Sequence, residues 1–135
     1  MDFLKTISVA ASGLKVQSGR MRVIAENIAN ADSTAEKPGA DPYRRKIPTF
    51  KAVYDADVGG ETVQIGQIAY DMSDFDTRYE PGHPAADEKG YVKYPNIDPL
   101  IESMDMREAQ RTYEANMNVI STSRQMVAKT LELLK

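Results

Sequence analysis

Met106–Leu134, MREAQRTYEANMNVISTSRQMVAKTLELL, runs without a proline or a glycine. Within it, Met106, Gln110, Tyr113, Met117, Ile120, Arg124, Val127, Leu131 and Leu134 follow one another by alternating steps of four and three. A stripe of period near 3.5 is the signature of helices that pack along their length. The other end of the chain repeats it: Phe3, Ile7, Ala10, Leu14, Gln17, Met21, Ile24 and Ile28 step in the same rhythm. The sequence therefore predicts two long amphipathic helices, residues 2–30 and 98–135, around a polar middle.

The second helix has a marked start. Asp98 is placed to act as its N-cap, and Pro99 fits the first helical position, where its missing N–H costs nothing. Such a helix is on the order of 50 Å long. A compact domain of 135 residues is only ~37 Å across. The helix outreaches that globule, so the sequence predicts an elongated chain or burial against other chains. Gly13 and Gly19 weaken the first helix by roughly 1 kcal/mol each. Either the helix breaks near Gly13, or its small residues admit close neighbours. Its charges are few for its length, which suggests packing on more than one side.

Bulk properties exclude several classes. Hydrophobic content of 41% and charged content of 27% are ordinary for a globular chain. A net charge of −3 argues against a general binder of nucleic acid or anionic membrane. The absence of cysteine rules out disulfides and thiolate chemistry. No apolar run is long enough to span a bilayer, and the N-terminus lacks the pattern of a Sec signal peptide.

Asn30 to Thr34 carries turn-forming residues that end the first helix. The middle reads as a small antiparallel β unit. Phe50, Ala52 and Tyr54 alternate with Lys51, Val53 and Asp55, and Gly59-Gly60 suggests a hairpin turn. Val63 and Ile65 share one parity, Ile68 and Tyr70 the other, so a bulge is expected near Gly66. Asp71 to Asp76 reads as an exposed acidic stretch, Tyr79 to Pro84 as a rigid turn, and Tyr91 to Tyr94 as a last short strand.

Candidate chemistry is sparse. His83 is the single histidine, and between Gly82 and Pro84 it reads as a turn or interface residue. Asp71, Asp74, Asp76 and Glu80 lack the glycine and final glutamate of a calcium loop, which favours a solvated acidic loop over a metal site. Arg44-Arg45-Lys46 can meet phosphate, but pairing with carboxylates of this or a neighbouring chain fits an acidic segment better. Asn27 and Asn30, one turn apart, can bond backbone near the helix end or across a contact. No nucleophile–base pattern or phosphate loop is present, so catalytic and cofactor residues are not expected.

Two segments identify a family. Ala11-Ser12-Gly13-Leu14, then Gln17, Arg20-Met21 and Ala25 to Ala31 resemble the N-terminal signature of bacterial flagellar rod and hook proteins. Ala109-Gln110-Arg111-Thr112-Tyr113-Glu114-Ala115-Asn116 resembles the C-terminal signature of that axial family. Within these, Asn27, Ala29, Asn30, Ala109, Arg111, Tyr113 and Asn116 match most directly. The short middle, with Pro81, Gly82, His83 and Pro84, is similar to the proximal-rod members. Residues 55–75 resemble the family least, and the loop after Asn30 is longer than its common form.

The resemblance implies a non-enzymatic structural subunit of the basal-body rod, part of a drive shaft and export channel for motility. Residues 1–34 and 98–135 are then the two helices of an axial core, a coiled-coil pair in a mainly α fold, and 35–97 the loop and small β middle. Leu14, Met21, Ile24 and Ile28 would face Tyr113, Met117, Ile120, Val127 and Leu131 within the subunit or across subunits. Ala11, Ser18, Ser121 and Ser123, off the stripe, suit contacts between subunits. Implied partners are further copies, proximal and distal rod proteins, an export-gate or membrane-ring adaptor and the type III export apparatus. The implied location is the periplasm-spanning rod, reached without a cleaved signal peptide. A soluble coiled-coil adaptor or export chaperone of a type III system is the alternative.

Overall fold

The computed structural model describes Asp2–Lys135. Its elements are α1 (Phe3–Ala29), β1 (Lys46–Ile47), β2 (Phe50–Asp55), β3 (Gly60–Ile65), β4 (Ala69–Tyr70), β5 (Asp76–Tyr79), β6 (Tyr91–Tyr94) and α2 (Pro99–Leu133). The fold is thus two long terminal helices around a small antiparallel β region, as the seven-residue rhythm predicts.

Each helix starts on an aspartate. Asp2 Oδ1 accepts from the N–H groups of Leu4 at 3.1 Å and Lys5 at 3.2 Å, pairing two of the donors a helix leaves free at its start. Asp98 Oδ1 accepts from Leu100 N–H at 2.9 Å, immediately ahead of Pro99. α1 closes at Asn30, whose Nδ2 donates to Glu26 O at 2.8 Å. It runs unbroken through Gly13 and Gly19. Close neighbours, not a hinge, explain both glycines: a Cβ on Gly19 would lie 2.0 Å from Ile65 Cδ1, and one on Gly13 would lie 2.8 Å from Asn116 Nδ2.

The chain divides into two compact units. The first comprises Met1–Met21, Pro48–Gln67 and Arg107–Lys135. In it β2 and β3 form a hairpin with Asp55 opposite Gly60 and Phe50 opposite Ile65. The turn ends at Gly59, at φ +68°, a left-handed conformation that glycine adopts without steric cost. The hairpin is bound to α1 by Lys5 Nζ donating to Gly59 O at 2.8 Å and Val63 N–H donating to Ser12 Oγ at 3.2 Å. Arg20 of α1 pairs with Glu108 of α2 at 3.5 Å.

The second unit comprises Arg22–Ile47 and Ile68–Met106. It contains two further ribbons, β1 with β4 and β5 with β6. A small core of Ala85, Val92 and Tyr94 lies beside the last of these. Arg78 stacks over the Tyr94 ring at 4.0 Å, and the Tyr94 hydroxyl donates to Glu80 Oε1 at 3.0 Å.

Three local expectations change. The single β unit is three separate two-stranded ribbons. Gly66 is not a bulge inside one strand: β3 ends at Ile65, Gly66 N–H donates to Thr49 O at 2.7 Å, and β4 pairs elsewhere, with β1. The parity switch therefore marks a change of partner. Asp76–Tyr79, divided by the sequence between an acidic loop and a turn, is strand β5, exposed along its whole length.

Gly90 sits at φ +85°, and a Cβ there would lie 2.9 Å from the Tyr79 ring and 3.1 Å from Pro81 Cβ. Gly39, at φ +76°, has open space around it. Gly90→Ala should therefore lower unfolding stability by about 2–3 kcal/mol, against about 1 kcal/mol for Gly39→Ala, where only backbone strain acts. Urea titration of the two variants measures the difference.

Candidate functional site: a buried polar latch and two helix faces

The second unit buries charge. Glu102, in the first turn of α2, is 1% exposed, as is Asn27 near the end of α1. Isolated, a buried carboxylate would cost several kcal/mol, so its partners define the site. Arg45 Nε donates to Glu102 Oε1. Asn27 Nδ2 donates to Glu102 Oε2 at 3.3 Å and to Lys46 O at 2.9 Å. Asn27 Oδ1 accepts from Lys46 N–H at 3.0 Å and from the Tyr43 hydroxyl at 3.1 Å. One amide thus uses two donors and two acceptors to join α1, the Tyr43–Lys46 segment and α2.

Arg45 extends the network. Its guanidinium lies 3.7 Å from Asp71 and 3.8 Å from Asp105, and its N–H donates to Asn96 Oδ1 at 2.9 Å. Asn96 Nδ2 in turn donates to Asp71 O at 2.8 Å and Ser73 Oγ at 3.0 Å. Arg44 donates to Asp71 O at 2.9 Å and lies over the Phe75 ring, while Lys46 pairs with Glu26 at 3.1 Å. The basic triplet is spent on carboxylates and backbone. Asp71, expected in an exposed loop, is a half-buried member of the network.

The electrostatics follow from these contacts. Burial lowers the Arg45 pKa, but the Glu102 hydrogen bond and the surrounding carboxylates outweigh it and hold the guanidinium above its ordinary range. The Ser73 backbone N–H and hydroxyl, helped by Arg45, hold Asp71 below the usual carboxylate range. Burial pushes the Tyr43 hydroxyl up. The Glu26 hydrogen bond raises Lys46.

The remaining signature residues fall elsewhere. Ala29 and Arg111 are exposed, Ala109 is fully buried, and Asn116 is half-buried against Gly13. Pro81, Gly82 and Pro84 are exposed. His83 closes a turn: its Nδ1 accepts from Ala85 N–H at 3.0 Å, and its own N–H donates to Glu80 O at 3.0 Å.

Of the stripe residues, Ile24 is buried, and Leu14, Met21, Ile28, Tyr113, Ile120 and Val127 are half-buried. Met117 and Leu131 are 47% and 59% exposed. The column that the chain itself covers on α2 is Glu102, Ala109, Asn116 and Ser123, spaced by seven and flanked by Met106, Tyr113, Ile120 and Val127. Ala11, Ser18 and Ser121 face solvent. Past Met106, α2 presents Met117, Val119, Met126, Leu131 and Leu133 uncovered.

Long helices that leave large apolar side chains uncovered beside their packed column suit an assembly subunit. Family models match both ends: residues 7–35 match "Flagella basal body rod protein", and 88–133 match "Flagellar basal body rod FlgEFG protein C-terminal". The chain is 53% identical to the flagellar basal-body rod protein FlgC of Agrobacterium fabrum, over 100% of this chain and 98% of the relative. It is 41% identical to FlgC of Escherichia coli O6:H1 over 98% of each chain, and 35% identical to FlgC of Bacillus subtilis over the full length of both. The chain belongs to the FlgC family of flagellar basal-body rod proteins, and its role is that of a structural rod subunit.

Two outcomes are expected of the latch. Glu102→Leu alone strands Arg45 and Asn27 and should cost about 3–5 kcal/mol, whereas Glu102→Leu combined with Arg45→Leu should cost less than the sum of the singles; chemical denaturation of the four proteins closes the cycle. Because Asp71 has a lower pKa folded than unfolded, its contribution is complete above about pH 4 and is lost as pH falls through the folded value. Asp71→Asn should therefore flatten the fall in melting temperature between about pH 5 and pH 3.

Proposed function

We propose that the chain assembles into the rod by lateral packing of its terminal helices on those of neighbouring subunits. Uncovered apolar side chains of α2 carry this reading: Met117 and Leu131 on one flank of the covered column, and Val119, Met126 and Leu133 on the other, range from 42% to 87% exposed. A series of large apolar side chains along one helix needs a partner, and fully burying each is worth about 1.5–3 kcal/mol. Leu14, Met21, Ile24, Ile28, Tyr113, Ile120 and Val127 line the subunit's own packing, while Met117 and Leu131 reach neighbours. Residues 1–34 and 98–135 act as the axial core, and 35–97 as the outward-facing middle.

The same reading gives the chain its route and company. It passes through the flagellar type III apparatus without a cleaved signal peptide and joins a rod that crosses the periplasm. Its neighbours are further copies, other proximal and distal rod subunits and an adaptor at the export gate or membrane ring. Its work is mechanical: transmitting torque and enclosing an export channel, without catalysis or a cofactor. Contacts that repeat head to tail without closing build such a filament.

Met117→Asp tests this. The residue is exposed, so the purified subunit should keep its helical circular dichroism and solubility. In a strain lacking the native protein, the variant should leave basal bodies without complete rods and abolish swimming. Normal rods by electron microscopy, with normal motility, would refute the helix-face model.

A further inference from the structure

In the first unit, α1, α2 and β3 enclose a cleft of about 520 Å³. Its floor is apolar, formed by Val9, Gly13, Val16, Val63 and Val119. Gln17 lines it, and the Gln17 Oε1 atom is buried with no hydrogen-bond partner. Lys5 stands at the rim; its Nζ donates to Gly59 O and has no carboxylate partner. The cleft thus has an apolar floor and, at its rim, a cation with no carboxylate partner among the described residues.

The same unit also carries an uncovered tail. Gly13 meets Asn116, and Arg20 pairs with Glu108, so α1 and α2 run antiparallel here. In that register Phe3, the first residue of α1, is level with Met126. Beyond Val127 every residue of the chain is exposed, with Leu131 at 59%, Leu133 at 87% and Leu134 at 79%. Past Glu114, Glu132 is the one acidic side chain, and among the described residues no cation pairs with it.

We propose that the Ala128–Lys135 tail of one copy seats in the Lys5–Gln17 cleft of the next copy, an inference that rests on the rod-subunit reading above. The leucines cover the valine floor, and Glu132 pairs with Lys5. One chain carries both halves of the contact at different places. The contact is heterologous and propagates along a filament instead of closing a dimer.

Two measurements on assembled basal bodies test the pairing. Lys5→Glu or Glu132→Lys alone should lower the yield of complete rods by roughly fivefold, since each sets like charges against one another; the double reversal should restore it. A photo-crosslinking residue at Val9 should trap, in purified basal bodies, the peptide Thr130–Lys135 of a second copy. A crosslink to a different protein, no crosslink in intact rods, or failure of the double reversal to restore the rods that the single reversals lose would each overturn the cleft assignment and leave the rod role standing. Basal bodies that never contain this chain would instead overturn the rod reading itself.

Discussion

The constraint on which the second unit depends is that Glu102 is ionisable and has no access to water. A carboxylate in that position is tolerated only with every lone pair engaged. That requirement fixes where Asn27, Arg45 and the Tyr43–Lys46 backbone must lie. These groups come from segments 75 and 57 residues away along the chain. An apolar cluster of equal volume tolerates many rotations of its members. A two-donor, two-acceptor amide meeting a backbone N–H, a backbone carbonyl, a hydroxyl and a carboxylate tolerates few. The latch therefore adds definition more than raw stability, in a unit whose buried apolar side chains, Val23, Ile24, Ala31, Ala85, Val92 and Tyr94, are few.

The first unit is built on the opposite economy. Its contacts are close approaches at glycines, two hydrogen bonds from α1 to the hairpin and a partly exposed Arg20–Glu108 pair. Such an exposed pair contributes little, of order 0–1 kcal/mol. The unit keeps its apolar wealth outside, on Met117, Met126 and the leucines of the tail. A rod subunit needs this division. A part satisfied internally can hold its shape alone, and a part left unsatisfied has a reason to seek neighbours. Regions with few buried contacts are also those of lowest local stability.

The architecture was largely legible from sequence, because two long uninterrupted periodicities leave few alternatives. The sense of the seam on α2 was less so. An apolar reading steps from Met106 to Gln110 and Tyr113, then to Met117. The covered face instead steps from Met106 to Ala109, Tyr113, Asn116, Ile120 and Ser123. Both have period 3.5 and share every second residue. They differ in whether the intervening column is large and apolar or small and polar. Hydrophobicity ranks Met117 and Leu131 above Asn116 and Ser123, yet Gly13 opposite Asn116 shows that small partners decide the covered side. The β-ribbons failed for a related reason. β1 and β4 are two residues each and β5 has no buried face, so no alternation exists to be read. The basic triplet at Arg44–Lys46 did suggest carboxylate partners, but nothing local names Glu102 among the acidic residues of α2.

The displacement between the apolar stripe and the covered face bears on assembly. Had the large apolar column faced inward, the subunit would satisfy itself and expose Ala109, Asn116 and Ser123, a surface with little to gain from a neighbour. Turning the small column inward brings α1 and α2 close at Gly13 and directs the large side chains outward. The rhythm that marks this chain as helical is therefore two stripes, one covered by the chain itself and one left uncovered. Sequence periodicity alone cannot separate them, because a face buried by a neighbour and a face buried by the chain itself select for the same residues. The separation comes from the polar members: Asn27 and Glu102 find each other within the chain, whereas Lys5 and Glu132 have no partner of opposite charge among the described residues.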